Sequence, residues 1–174
     1  MKTINLFCIV VCFFCATLSV GFVLFDAYFF PLAYKEEIVK YANEYNLETS
    51  LVFGLVKTES GFKEKVVSRS GALGLMQIMP KTGEWVAEKL NIKNYSESML
   101  YDAQTNIKIG CYYLSYLIGK YTHLNTALAC YNAGEGIMAS FIDEDKNVVK
   151  YPFEETAKYV QKVKNYAKIY KSKI

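Results

Sequence analysis

From Ile4 to Phe25 the chain carries no charged residue, and Asn5, Thr17 and Ser19 are its only clearly polar positions. At about 1.5 Å per helical residue this run would extend roughly 33 Å, enough to cross a bilayer core of about 30 Å. Beyond it the pattern changes to amphipathic periods. Lys35 to Leu47 places Ile38, Ala42 and Tyr45 at helical spacing, and a second helix to about Ser60 carries Val52, Leu55, Val56 and Glu59 at i, i+3, i+4 and i+7. Thr49 or Ser50 can cap that helix, and Gly61 stops it. Phe62 to Met79 is broken by glycine and serine and reads as a loop or short irregular hairpin. Pro80 opens a helix to about Leu90, and Asp102 or a neighbour starts a long one to about Tyr121. Asn125 to Ala133 follows, ended by Gly134; Glu135 to Ile142 adds a turn or two, and Glu154 to Lys171 forms the last helix. The fold class is therefore mainly α, with one small irregular or β-hairpin segment, preceded by an N-terminal transmembrane helix.

This pattern divides the chain into 1–25, a membrane anchor or signal sequence; 26–34, a juxtamembrane linker containing Pro31; and 35–174, one domain. Lys2 and the amino terminus supply the positive end that stays in the cytoplasm, which puts the domain on the extracytoplasmic side of a single-pass protein. The competing reading is a secreted protein released after signal cleavage at the small residues Ser19-Val20-Gly21. Against cleavage, the apolar run is longer than an ordinary signal core and continues through Phe22 to Phe25.

Composition narrows the chemistry. With 20 basic and 17 acidic residues the net charge is +3, too mild for a nucleic-acid footprint. Cys8, Cys12 and Cys15 fall on one face of the N-terminal helix. Cys111 and Cys130 each sit in an apolar helical stretch, where a small buried thiol fits better than a disulfide. His123 is the single histidine and has no cysteine or histidine at metal-ligand spacing, so no metal site and no cofactor are expected. The lysines of the last helix (158, 162, 164, 168 and 171) read as a solvated face.

Glu59 is the candidate acid. It ends an apolar stripe, so ionising it costs solvation, and the negative end of the helix dipole acts in the same direction. At an ordinary pKa of about 4.3, about one carboxyl in 500 is protonated at pH 7; a rise of roughly two units makes that nearly one in six. General-acid catalysis needs such tuning. An isolated glutamate at a helix end more commonly pairs with a lysine or caps a loop, so the segments after it decide its role.

Those segments are Glu59-Ser60-Gly61-Phe62; Gly71-Ala72-Leu73-Gly74-Leu75-Met76-Gln77-Ile78-Met79-Pro80; Asn106 with Gly110 and Tyr113-Leu114; Ala129-Cys130-Tyr131-Asn132-Ala133-Gly134; and Glu155-Thr156 with Tyr159-Val160. In this order the chain resembles the lytic transglycosylases of the soluble type, with their lysozyme-like domain, over about Ile38 to Tyr170. The resemblance implies that Glu59 is the catalytic acid and then base. The implied substrate is the β-1,4 bond between N-acetylmuramic acid and N-acetylglucosamine in peptidoglycan glycan strands. It also implies that Ser68, Gln77, Met79, Tyr131, Asn132, Glu155 and Tyr159 line the sugar groove. Gln77 and Asn132 offer donors and acceptors to acetamido and hydroxyl groups, while Met79 and Tyr131 can pack on apolar sugar faces. Gly71 and Gly74 would let the backbone approach the sugar. Cys130 departs from the family pattern without touching the chemistry.

A glycosidase that transfers sugar to water normally uses two carboxyl groups, and no second acid accompanies Glu59 in its motif. The resemblance implies instead that the muramoyl C6 hydroxyl attacks C1 and leaves a 1,6-anhydro end. Two other readings stay open: a lysozyme-type hydrolase with Glu155 or Asp102 as partner, and a catalytically silent wall-binding module. Expected partners are the glycan strands, the membrane through the N-terminal helix, and cell-envelope machinery; nucleic acid is not among them.

Overall fold

The computed structural model describes residues 2–174, with side chains from Val10 onward. It divides into two compact units, 1–33 and 34–174.

The first unit is helix α1, Lys2–Phe29. Within it, the 20 residues Val10–Phe29 are long and apolar enough to cross a membrane, and none of that span is buried. Phe13 and Phe22 are 71% and 72% exposed, part of a long apolar surface. Helix α1 runs past Phe25 because nothing in Asp26-Ala27-Tyr28-Phe29 breaks it. It stops before Pro31, whose ring disfavours helical backbone in the preceding residue. The stretch read as a linker, 26–34, is thus helical in its first four residues. Cys12 and Cys15 are exposed and free, whereas the side chain of Cys8 lies outside the described residues.

The second unit contains α2 (Lys35–Glu44), α3 (Thr49–Glu59), α4 (Pro80–Lys89), α5 (Ala103–Tyr121), α6 (Leu124–Ala133), α7 (Glu135–Met138) and α8 (Glu154–Lys171). Two 3-10 turns, Glu97–Tyr101 and Ala139–Phe141, join them; the second falls within the stretch from Glu135 to Ile142 expected to add a turn or two, and the first was not anticipated from sequence. Helix α2 ends three residues before Leu47. Asn46 takes a left-handed φ of 54°, and the Leu47 N–H turns back to the Ala42 carbonyl at 2.8 Å, a closure that stops the helix. Neither Thr49 nor Ser50 caps α3: the N-cap position falls on Glu48 and no side chain bonds there. Glu48 pairs with Lys171 at 2.9 Å instead. Among the described residues no ladder of paired strands forms, only isolated antiparallel bridges: Val67 with Leu73, Leu73 with Ile78, and Ile142 with Val148. The segment between α3 and α4 is irregular accordingly.

Helix α3 is buried over Ser50–Val56 and packs most extensively on α8. The two backbones meet at Gly54, where a Cβ would stand 2.6 Å from the Ala167 nitrogen and 2.7 Å from the Val163 carbonyl oxygen. Only glycine permits that approach. Near the far end of α8, Phe53 and Tyr170 stack with ring centroids 5.0 Å apart, and Phe62 closes on both at 6.1 Å. Cys111 and Cys130 are free and fully buried.

Candidate active site

The segment after α3 is shaped by its own residues. The Ser60 hydroxyl donates to the Val56 carbonyl at 3.2 Å and accepts the Phe62 N–H at 3.1 Å. Gly61 and Phe62 then take left-handed φ values of 59° and 66°. This turn leaves Glu59 as the last helical residue while Phe62 is folded down onto Phe53 and Tyr170.

The glycine-rich segment is held by one side chain on α5. Asn106, 1% exposed, accepts the Met76 N–H at 2.7 Å and donates to the Leu73 and Leu100 carbonyls at 2.9 and 2.8 Å. Gly74 has φ 76°, and a Cβ there would lie 2.3 Å from the Asn106 amide nitrogen and 2.4 Å from the Leu100 carbonyl oxygen. Gly110 leaves room for Met76, whose sulfur would be 2.4 Å from a Cβ at that position. Gly74 therefore brings the loop onto helix α5, rather than onto a sugar as expected. Gly71, at φ 87°, faces open space.

Around Glu59 lies a cleft of about 510 Å³, within the range of small-ligand sites. Ser68, Gln77 and Met79 stand on the loop side, and Tyr131 and Asn132 come from the end of α6. Glu155 and Tyr159 come from α8, so all eight candidate residues meet in one concavity. Thr58, Ser70, Ala72, Lys158 and Lys162 complete its lining and were not singled out from sequence. The two lysines are exposed, as expected of a solvated face of α8, and they also border the cleft. Of its other lysines, Lys164 donates to the Asn125 side chain at 2.9 Å and Lys171 pairs with Glu48.

Each side chain's partners limit what it can offer. The Tyr159 hydroxyl donates to Glu59 Oε1 at 2.5 Å. Glu59 is half-buried, and burial pushes its pKa up from 4.5 to about 7, against the opposing pull of the Tyr159 hydrogen bond and the Lys162 ammonium. Roughly half of the carboxyls then hold a proton at pH 7. Burial, followed by the Glu59 charge, drives the phenols of Tyr131 and Tyr159 well above their usual range, so both remain donors. Tyr131 uses its hydroxyl on the Met76 carbonyl at 2.8 Å, bracing the loop. Gln77, at a strained φ of 48°, spends its amide N–H groups on the Val66 and Gly74 carbonyls at 3.1 and 2.8 Å. That leaves its Oε1, an acceptor, where the sequence suggested donor and acceptor together. Ser68 accepts the Ala72 N–H at 2.9 Å and shares a bond with Ser70, so it shapes the rim turn. Met79 is 43% exposed, a large apolar surface on the cleft wall.

Asp102, one of two candidate partner carboxylates, is committed elsewhere. It caps α5 by accepting the Thr105 N–H at 2.8 Å and lies outside the cleft lining. Glu155 is the other carboxylate in that lining. No cluster of metal-ligating side chains occurs among the described residues.

Residues 36–153 match the family model described as the Transglycosylase SLT domain. The chain belongs to this family. The soluble lytic murein transglycosylase of Escherichia coli K12 is 35% identical over 151 residues, which covers 82% of this chain and 23% of that protein. A membrane-bound lytic murein transglycosylase C of Yersinia pestis is 32% identical over 160 residues, 76% of this chain and 45% of its own length. The chain thus spans about a quarter of the soluble relatives and under half of the membrane-bound one. Among solved structures, an inactive mutant of the lytic transglycosylase Slt from Pseudomonas aeruginosa matches with a TM-score of 0.76 at 33% identity. That match covers 83% of this chain and 25% of the other. The 70 kDa soluble lytic transglycosylase of E. coli matches with a TM-score of 0.70 at 34% identity, over 79% and 24%. The same type of enzyme in complex with bulgecin A gives 0.73 at 35%, over 82% and 25%. The SLT domain here therefore has the lysozyme-like, mainly helical fold of these enzymes.

Proposed function

We propose that this SLT domain is a peptidoglycan lytic transglycosylase that cuts the N-acetylmuramic acid–β-1,4–N-acetylglucosamine bond. The observation that carries the reading is the protonatable Glu59 carboxyl, raised to about pKa 7 and tied through one oxygen to Tyr159. With Oε1 engaged, Oε2 is left to carry the acidic proton. That proton passes to the glycosidic oxygen as the C1–O bond breaks, and the N-acetylglucosamine side leaves as an alcohol. The substrate's own N-acetyl oxygen can stabilise C1. Ionised Glu59 then takes the proton of the muramoyl C6 hydroxyl, the O6–C1 bond forms, and the acid is regenerated without water being consumed. Because the nucleophile belongs to the same sugar, proximity replaces a protein nucleophile.

Purified cell wall digested with the detergent-solubilised full chain should release fragments ending in 1,6-anhydromuramic acid, seen by mass spectrometry as a loss of water relative to the reducing end. Reducing ends would instead make the protein a muramidase with Glu155 as second carboxylate. Glu59→Gln should abolish release and keep strand binding; equal behaviour of variant and wild type would leave a silent binding module.

Helix α1 supports a further reading, that the chain is anchored by 1–25 with a short juncture, 26–34, and presents 35–174 outside the cytoplasmic membrane. Accessibility of a cysteine introduced at Lys173 to a membrane-impermeant thiol reagent in intact cells would test that side; a protected thiol would reject it.

A further inference from the structure

The sequence holds five methionines, and the side chains of Met76, Met79, Met99 and Met138 are among the described residues. Met76 and Met138 are fully buried, Met76 in the space that Gly110 leaves on α5. Met99 is half-buried in the 3-10 turn Glu97–Tyr101 and is not part of the cleft lining. Of these four, only Met79 is exposed, at 43%, and it lines the cleft. Its backbone is fixed at the N-cap of α4, with φ −66° and ψ 139°, where its carbonyl accepts the Gly83 N–H at 2.9 Å. Pro80 keeps it from joining the helix, so the side chain is presented to the cleft. The polar groups beside it have turned inward. Gln77 spends its N–H groups on the Val66 and Gly74 carbonyls, Ser68 bonds the Ala72 N–H and Ser70, and Tyr131 bonds the Met76 carbonyl. What the loop side offers a ligand is chiefly the Met79 surface and Gln77 Oε1.

We propose that Met79 is an oxidation site: a peroxide converts its thioether to the sulfoxide, and the cleft then loses grip on its glycan. The ligand named here rests on the peptidoglycan reading above, whereas the oxidation does not. In the step, the O–O bond of the peroxide breaks and its terminal oxygen bonds to sulfur. Sulfur gives up two electrons, and the peroxide leaves as water or an alcohol. The thioether reacts through its own lone pair, so no deprotonation by a neighbouring base is needed. The product carries a polar oxygen where the wall was apolar, and a sugar face packing there must strip the water from it. A domain outside the cytoplasmic membrane meets peroxides without the thiol pool that keeps the cytosol reduced.

The solubilised full chain, treated with hydrogen peroxide and mapped by mass spectrometry, should gain oxygen at Met79 at least about tenfold faster than at Met76 or Met138. KM on glycan strands should then rise about five- to tenfold. Because binding and not proton transfer is altered, kcat should change less than about twofold. A methionine sulfoxide reductase should restore KM. Met79→Leu protein should show no peroxide-induced change in its own KM, while Met99→Leu protein should respond as wild type does. Met79 oxidising no faster than the buried pair, or an undiminished KM shift in Met79→Leu protein, would overturn the site. Sulfoxide at Met79 with unshifted binding would overturn its effect on the grip. Co-sedimentation of Glu59→Gln protein with strands, before and after peroxide, reads that binding without cleavage. An absence of anhydro product therefore strikes the proposed reaction, while unshifted binding strikes the role of Met79 oxidation.

Discussion

The two walls of the cleft are built by opposite means. The loop wall, 66–79, owes its shape to backbone hydrogen bonds gathered by Asn106, Gln77 and Tyr131, and it presents neutral groups and the apolar Met79. The α8 wall is a regular helix locked to α3 at Gly54, and it presents a phenol, two ammonium groups and Glu155. The difference teaches a division of labour. The proposed reaction assigns sugar contact to the loop residues, while Tyr159 and Lys162 of α8 oppose the rise in the Glu59 pKa that burial causes.

The strongest way to break this comparison is to remove the group both walls serve. Glu59→Gln should lower the rate of anhydro-product release by at least about 10²- to 10⁴-fold. It should also make the domain more stable above neutral pH. A raised carboxyl pKa means that the folded state holds a proton the unfolded chain has released. Wild-type stability therefore falls as pH rises from 4.5 through about 7. Thermal melts should show the variant's advantage absent near pH 4 and reaching about 1–3 kcal/mol at pH 8. An advantage that does not depend on pH would contradict the burial of the carboxyl.

Asn106→Ala attacks the loop wall alone. It orphans the Met76 N–H and two carbonyls and should cost about 3 kcal/mol, lowering Tm by about 10 °C. KM should rise in the protein that remains folded, with the basic limb of the pH–rate profile unmoved. Tyr159→Phe attacks the other wall. Its hydrogen bond favours the ionised carboxylate, so removing it should raise the Glu59 pKa and move that basic limb to higher pH. Lys162→Met should move the limb in the same direction by less, since its charge is the weaker of the two opposing causes. If loop substitutions shift the limb as much as these do, the division of labour fails.

Legibility followed sequence distance. Glu59-Ser60-Gly61-Phe62 could be read directly because its turn is made by neighbours: a serine hydroxyl two residues from the N–H it accepts, and two residues with left-handed φ. The resemblance marked Asn106, but its task could not be read, since its partners lie 30 and 33 residues away. For the same reason Gly74 was assigned to the sugar instead of to α5. Lys158 and Lys162 were missed because an outward lysine on an amphipathic helix looks the same whether it borders water or a cleft. Only the way α8 lies against α3 decides which. The end of α2 was misplaced by three residues because Leu47 continues the apolar pattern, while Asn46 had already taken the left-handed turn.

The contact at Gly54 has a mechanical corollary. Two helices touching main chain to main chain have no side-chain layer between them to absorb a shift, so the gap between Glu59 and Tyr159 is tied to that contact. Warming should therefore slacken the hold on the polymer, which depends on a stapled loop, well before it disturbs the acid.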